Sequence, residues 1–215
     1  MMATVRRQQR KQELLTATHR VISERGIAGA SVRAVADRAA LSPGSILYYF
    51  ESFEELVTAA VESAMEEFGD RRRRLLDAAA DPITGLCQMV EAGIPERISD
   101  ELRIVYEVSS VLRDKPQFRA SVALLMDRQV AIYRDLIRWG TESGVFRPVM
   151  EEATIAENLV ALEDAYGLYL LDPSSDRRPH YVRNALRFAE AALGCTLLPA
   201  TPDDTLEPLG KDSTP

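Results

Sequence analysis

Along most of this chain apolar residues recur at intervals of three and four, which gathers them on one face of an α-helix; no segment alternates convincingly as a strand does. Glycines and prolines punctuate the repeats, and the pattern predicts an all-α protein. Leu14, Leu15, Thr18, Val21 and Ile22 share a face of a first helix over about residues 8–25, which Gly26 ends. Val32, Val35, Ala36 and Ala39 mark a second helix behind the capping hydroxyl of Ser31, a third starts near Ser42, and a long fourth runs over 53–79. Pro82 suits the first turn of a helix reaching toward Gly93, and Asp100 opens another through "ELRIVYEVSSVLRD". The longest pattern covers 117–143, with Val122, Leu125, Met126, Ile132, Tyr133, Leu136 and Ile137 on one face and Gly144 as its stop. "EEATIAENLVALEDAYGLYLL" and "HYVRNALRFAEAALG" supply the last two helices. The tail over 196–215 holds four of the eleven prolines and almost no apolar periodicity, so it reads as disordered.

The third helix lies in "LSPGSILYYF", residues 41–50. Ser42 can accept a free N–H of the first turn, and Pro43 gives up a donor the helix does not use there. At 100° per residue, Pro43, Ile46 and Phe50 face inward, Gly44, Ser45 and Tyr48 face outward, and Leu47 and Tyr49 lie on the flanks. The outward face carries no carboxylate and offers N–H groups, a hydroxyl and close backbone approach, which suits a phosphate or a base edge. Ser52 and Glu55 form an S-x-x-E capping box for the fourth helix.

Charge sharpens this picture. The net charge is −7, yet residues 1–50 hold eight basic against three acidic side chains, a net of +5 that leaves −12 for the remainder. A basic head on an acidic body points to a polyanion met by the head alone. Arg6, Arg7, Arg10 and Lys11 read either as a flexible arm for phosphates or the minor groove, or as a solvated helix end. The run Arg71–Arg74 is set some 27 Å from the start of the fourth helix, at about 1.5 Å per residue, and reads as solvated or salt-bridged between helices. No apolar run reaches eighteen residues and the N-terminus has no apolar signal core, so the expectation is a cytoplasmic protein with no membrane partner. Cys87 and Cys195 lack metal or redox spacing, and His19 and His180 lack a recognisable partner nearby in sequence; no catalytic residue, metal or cofactor is expected.

Two short serine-capped helices behind a supporting helix make a helix-turn-helix. In "GIAGASVRAVADRAALSPGSILYYFESFEEL", residues 26–56, the chain resembles the TetR family of transcriptional regulators, and "GVFRP" with "LVALEDAYGLYLL" resembles, more loosely, the BetI-type C-terminal region. The resemblance implies a helix-turn-helix DNA-binding domain over 1–52, a ligand-binding and dimerisation domain over 53–195, and the tail beyond. It implies double-stranded DNA as partner, with contacts from Arg33, Pro43, Gly44, Ser45, Leu47, Tyr48 and Tyr49. Arg33 also stands four residues before Asp37, an order that favours an ion pair only weakly. The chain departs from the family pattern at Ala40, where the turn commonly has glycine, at Leu47, where an aromatic is common, and at Phe53, where a lysine often meets phosphate.

A regulator of this kind senses a small molecule in its larger domain, and helical bundles hold such sites between helices. Polar residues interrupt apolar faces at Gln129, between Met126 and Tyr133, and at Glu163, between Leu159 and Tyr166, while Tyr106 is flanked by Glu107. These six, Tyr106, Met126, Gln129, Tyr133, Glu163 and Tyr166, are the candidate pocket, and an acidic, tyrosine-lined cavity would suit a cationic effector. Ala161, Ala165 and Gly167, with Ala185, Ala189 and Ala192, offer small-residue faces for a four-helix homodimer interface. The expected function is a homodimeric repressor that binds a palindromic operator and leaves it when effector binds. The alternatives are a DNA-binding dimer governed by a protein partner, and a helical-bundle enzyme.

Overall fold

The computed structural model describes residues 2–112, 114–172 and 174–197, so the expected tail lies outside the described residues from 198 onward. In chain order the helices are α1 (Met2–Arg25), α2 (Val32–Arg38), α3 (Pro43–Leu47), α4 (Phe53–Ala78), α5 (Pro82–Gly93), α6 (Asp100–Leu112), α7 (Pro116–Glu142), α8 (Glu152–Tyr169) and α9 (Arg178–Leu193). A single 3₁₀ turn, Ile27–Gly29, joins α1 to α2. The described residues form no strand, and the fold is all-α. Helix α1 starts six residues before its apolar pattern does. Nothing in residues 2–8 breaks a helix, and their Arg and Gln are good helix formers whose polarity conceals the helix from a periodicity count.

Local chemistry sets the helix starts. Ser31, Ser42 and Ser52 each accept the N–H three residues on, from Ala34, Ser45 and Glu55, and Asp81 does the same for Thr84. The box at α4 closes one residue earlier than expected, because Glu55 accepts the N–H of Glu51 and not that of Ser52. Helix α2 ends in a Schellman turn. The Leu41 N–H reaches the Ala36 carbonyl at 2.9 Å and the Ala40 N–H reaches Asp37 at 3.3 Å, which requires Ala40 to adopt φ 54. An alanine therefore occupies a left-handed position that favours glycine.

Two hydrophobic clusters organise the packing. The first gathers Leu14, Ile22, Val35, Ile46, Phe50 and Leu56, and it draws in Ile104 and Val108 of α6 with Phe118 and Leu125 of α7. The helix-turn-helix is thus seated on the larger body as well as on α4. Two polar ties reinforce this seat: the buried His19 Nε2 meets the Ala60 carbonyl at 2.8 Å, and the Ser23 hydroxyl donates to Asp100 at the start of α6. The second cluster, with Leu86, Met89, Ile132, Leu136, Ile155 and Leu159 at its centre, also absorbs Ala185, Ala189 and Ala192. Those alanines bring α9 close to its own chain, so the small-residue face read from α9 is spent within the subunit. Gly167 is likewise buried, against the Tyr106 hydroxyl. The exposed large apolar side chains near the end of α8 are Leu168 and Tyr169 instead.

Candidate functional site

Helix α3 presents its residues to solvent much as the 100° projection expects. Ile46 and Phe50 are buried; Gly44, Leu47 and Tyr48 are exposed, Tyr48 at 72%. Pro43 departs from the projection: it is exposed, because at the first position of a five-residue helix it stands clear of the support that Ile46 and Phe50 reach. Ser45 is half-buried, its hydroxyl 2.8 Å from that of Ser42, and Tyr49 is half-buried against the first cluster. Arg33 is exposed on α2.

The early helix α1 also runs beside this surface. Tyr48 meets Tyr49 edge to face at 5.1 Å and carries the Arg7 guanidinium over its ring at 6.0 Å. Arg10 borders the same shallow groove as Ser42, Ser45, Tyr48 and Tyr49, and bridges to Glu13 at 2.6 Å. In the sequence these cations read as an arm or a helix end, with no link to α3. The link follows from the helix starting at Met2, which holds them in place.

A second feature lies between the two clusters. A cavity of about 330 Å³ is walled by α4, α6, α7 and α8, with Gly93 at the end of α5. Met65, Phe68, Leu102, Val105, Met126 and Leu168 give it an apolar lining, interrupted by Arg72, Tyr106, Gln129, Glu163 and Asp164. Of the six residues expected to form a pocket, Tyr106, Met126, Gln129 and Glu163 are on this wall. Tyr133 stands behind it, fully buried, its hydroxyl donating to Glu163. Tyr166 does not join them. Three residues past Glu163 its side chain is rotated toward α9, where it stacks on Tyr181 at 4.5 Å with the rings 9° from parallel.

Arg72 was not anticipated in this role. It is 1% exposed and forms a two-pronged ion pair with Glu163, Nη1 to Oε2 at 2.6 Å and Nη2 to Oε1 at 3.1 Å. Its guanidinium also lies 4.9 Å from the Tyr133 ring and 5.4 Å from that of Phe68. Burial works to lower the Arg72 pKa, but the Glu163 carboxylate and then Tyr133 outweigh it and hold the guanidinium above its ordinary value. Burial pushes the Glu163 carboxyl upward against the pull of Arg72. The expectation of an acidic pocket built on Glu163 is therefore corrected: Arg72 compensates that charge. Asp164 keeps solvent contact at the cavity edge, yet desolvation, followed by the Glu163 charge, pushes its carboxyl up to about 6. Tyr106 is raised as well, by burial first and then by Asp164 and Glu163.

The neighbours of Arg72 behave as solvated or inter-helix cations. Arg73 bridges to Asp135 on α7 at 2.7 Å, and Arg71 lies over the Phe68 ring. Gly93 lets Glu163 fit at all, since a Cβ there would lie 2.0 Å from the Glu163 carboxyl carbon. Partial burial raises the thiols of Cys87 and Cys195, the latter to about 11, which leaves them protonated and poorly nucleophilic near neutral pH. Among the described residues no three His, Cys, Asp or Glu side chains converge as metal ligands, and no helix is long and apolar enough to cross a membrane.

Residues 14–60 match the family model described as bacterial regulatory proteins, tetR family. The chain is 29% identical over 188 residues to the HTH-type transcriptional regulator PksA of Bacillus subtilis (strain 168), covering 86% of this chain and 90% of that protein. Its fold is similar to that of a TetR transcription regulator from Haloarcula marismortui, with a TM-score of 0.78 at 20% identity over 86% of this chain and 99% of that one. It is also similar to a transcriptional regulator from Saccharomonospora viridis solved in complex with choline, with a TM-score of 0.76 at 23% identity over 86% and 98% of the two chains.

Proposed function

Since the chain belongs to the TetR family of transcriptional regulators, we propose that it is a repressor that binds a palindromic operator as a homodimer and leaves it when a small molecule enters the cavity beside Arg72. The DNA-binding unit of this proposal is residues 1–52 and the ligand-binding and dimerisation unit 53–195. DNA meets Arg33, Pro43, Gly44, Ser45, Leu47, Tyr48 and Tyr49, with Tyr48 reaching further into solvent than Leu47. A dimer through α8 and α9 would use Tyr169, which is 58% exposed, beside Leu168, which is 51% exposed and also borders the cavity. Two-fold symmetry then places two α3 helices about one DNA turn, or a multiple of it, apart.

The observation that carries this reading is the course of α4. One uninterrupted helix has its first turn capped beside α3 and its Arg72 in the cavity wall, paired to α8. Twenty residues separate Ser52 from Arg72, about 30 Å along the axis. A ligand that shifts Arg72 tilts a rigid rod whose other end supports the DNA-facing helix. Release requires the ligand to bind the non-operator geometry more tightly than the operator-bound one, and DNA weakens ligand binding by the same factor.

The S. viridis protein was solved with choline, and the cavity beside Arg72 supports small-molecule sensing here. It does not transfer the cation, because Glu163 is already paired in this chain. Selection of bound duplexes from a random DNA pool tests the proposal. Enrichment of an inverted repeat is expected; recovery of no repeated site would refute the operator-binding reading.

A further inference from the structure

Gln129 sits on the cavity wall 3% exposed, and neither its Nε2 nor its Oε1 has a hydrogen-bond partner; Arg72 Nε is in the same condition. Buried amides are normally paired, so a carboxamide with both functions unpaired in a cavity wall signals a missing partner. We propose that the effector is an uncharged, mainly apolar molecule carrying an adjacent donor and acceptor, an amide or lactam, which docks on the Gln129 carboxamide. This rests on the reading of the cavity as the effector site.

The charge arrangement argues for neutrality. Both Glu163 oxygens already accept from Arg72, and Oε1 also accepts from Tyr133, so a cation finds the Glu163 carboxylate occupied and is left with the exposed Asp164 at the cavity edge. An anion would face Glu163 and Asp164 while Arg72 keeps its Nη atoms on Glu163. An uncharged ligand competes for neither member of the pair, which shifts as a unit when the ligand displaces Arg72. An amide then matches the open atoms: its N–H donates to Gln129 Oε1, and its carbonyl accepts from Gln129 Nε2, with Arg72 Nε as a further donor on the same wall. A ketone satisfies the donors alone. The side chains of Phe68, Leu102, Val105 and Met126 receive the hydrocarbon body, and a volume of about 330 Å³ limits it to a compact one.

Calorimetric titration of the full-length, DNA-free protein with four probes built on a six-carbon chain tests this: hexanamide, hexan-2-one, hexanoate and hexyltrimethylammonium. Hexanamide is expected to bind at least tenfold more tightly than the other three. Gln129→Leu should lower hexanamide affinity tenfold or more, lower hexan-2-one affinity by a smaller factor because the ketone loses one donor and not a donor and an acceptor, and melt at or above the wild-type temperature, because it removes two unpaired buried polar atoms. If that variant does not fold, Gln129→Met serves for the same comparison. Tightest binding by the ammonium or the carboxylate probe, no binding of hexanamide, or equal hexanamide affinity in wild type and variant would each overturn the proposal. Because DNA is absent from the titration, failure of the DNA selection would strike the operator-binding reading and leave this one standing, and the reverse also holds.

Discussion

Arg72→Met removes one partner of a pair buried on both sides, at 1% and 3% exposure, and strands the Glu163 carboxylate with the Tyr133 hydroxyl as its remaining donor. Breaking such a pair costs about 3 to 5 kcal/mol, because the surviving charge stays desolvated. For a chain of this size 1 kcal/mol moves the melting temperature by about 2 to 4 °C, so the variant should melt roughly 6 to 20 °C lower at equal protein concentration. The loss should also depend on pH in a definite direction. Without Arg72 the folded-state pKa of Glu163 stands further above its unfolded value of about 4.3, so the folded variant holds a proton that the unfolded chain releases. Stability contributed by that protonated form is complete below the unfolded pKa and is lost as pH rises through the folded one. The deficit relative to wild type is therefore larger at pH 8 than at pH 6. Arg72→Met/Glu163→Leu, which removes both charges, should recover most of the loss. Urea denaturation of the three proteins at both pH values checks this. A single-variant deficit below about 1 kcal/mol, or one equal at pH 6 and pH 8, would refute the view of Arg72–Glu163 as a compensated buried pair.

Ala40→Gly relieves a left-handed φ of 54 at an exposed position. The relief of about 1 to 2 kcal/mol exceeds the extra unfolded-state entropy of glycine, so chemical denaturation should show a gain of about 0.5 to 1 kcal/mol. Tyr48→Ala should weaken operator binding strongly in a fluorescence-anisotropy titration, whereas Leu47→Tyr is tolerated or tightens it; the reverse order would mean that α3 meets DNA with a different face. Gly93→Ala drives a methyl into the Glu163 carboxyl and should lower stability by about 1 to 3 kcal/mol by urea denaturation, with the loss reduced in a Glu163→Ala background because the clashing group is gone.

Much of the N-terminal architecture was legible because it is locally encoded. Serine caps three residues before their N–H donors, the proline at the start of α3 and the burial of Ile46 and Phe50 all follow from spacing within one or two turns. The start of α1 was not, since a solvated basic helix leaves no apolar trace. The left-handed turn was legible as a departure from glycine at Ala40, but its dihedral depends on two backbone hydrogen bonds that close only in the fold.

The cavity illustrates a different limit. Gln129 and Glu163 announced themselves as polar interruptions of apolar faces, yet the compensation of the Glu163 charge lay in a partner 91 residues away, inside a run of four arginines. Consecutive residues point in four directions, so the run alone could not say which cation turns inward. The phase of α4 could have: Met65, Gly69, Arg72 and Leu76 follow at four, three and four, and all are buried. A charged residue that keeps the register of an apolar face is either paired or uncharged, because an isolated buried charge is too costly to retain. Extending that register through "RRRR" selects Arg72 and demands a carboxylate across from it, and on α8 the polar residue in the apolar register is Glu163. The same reasoning leaves Gln129 as the neutral polar group on the wall whose partner the chain does not supply. The selectivity of the site therefore turns on hydrogen-bond matching more than on charge.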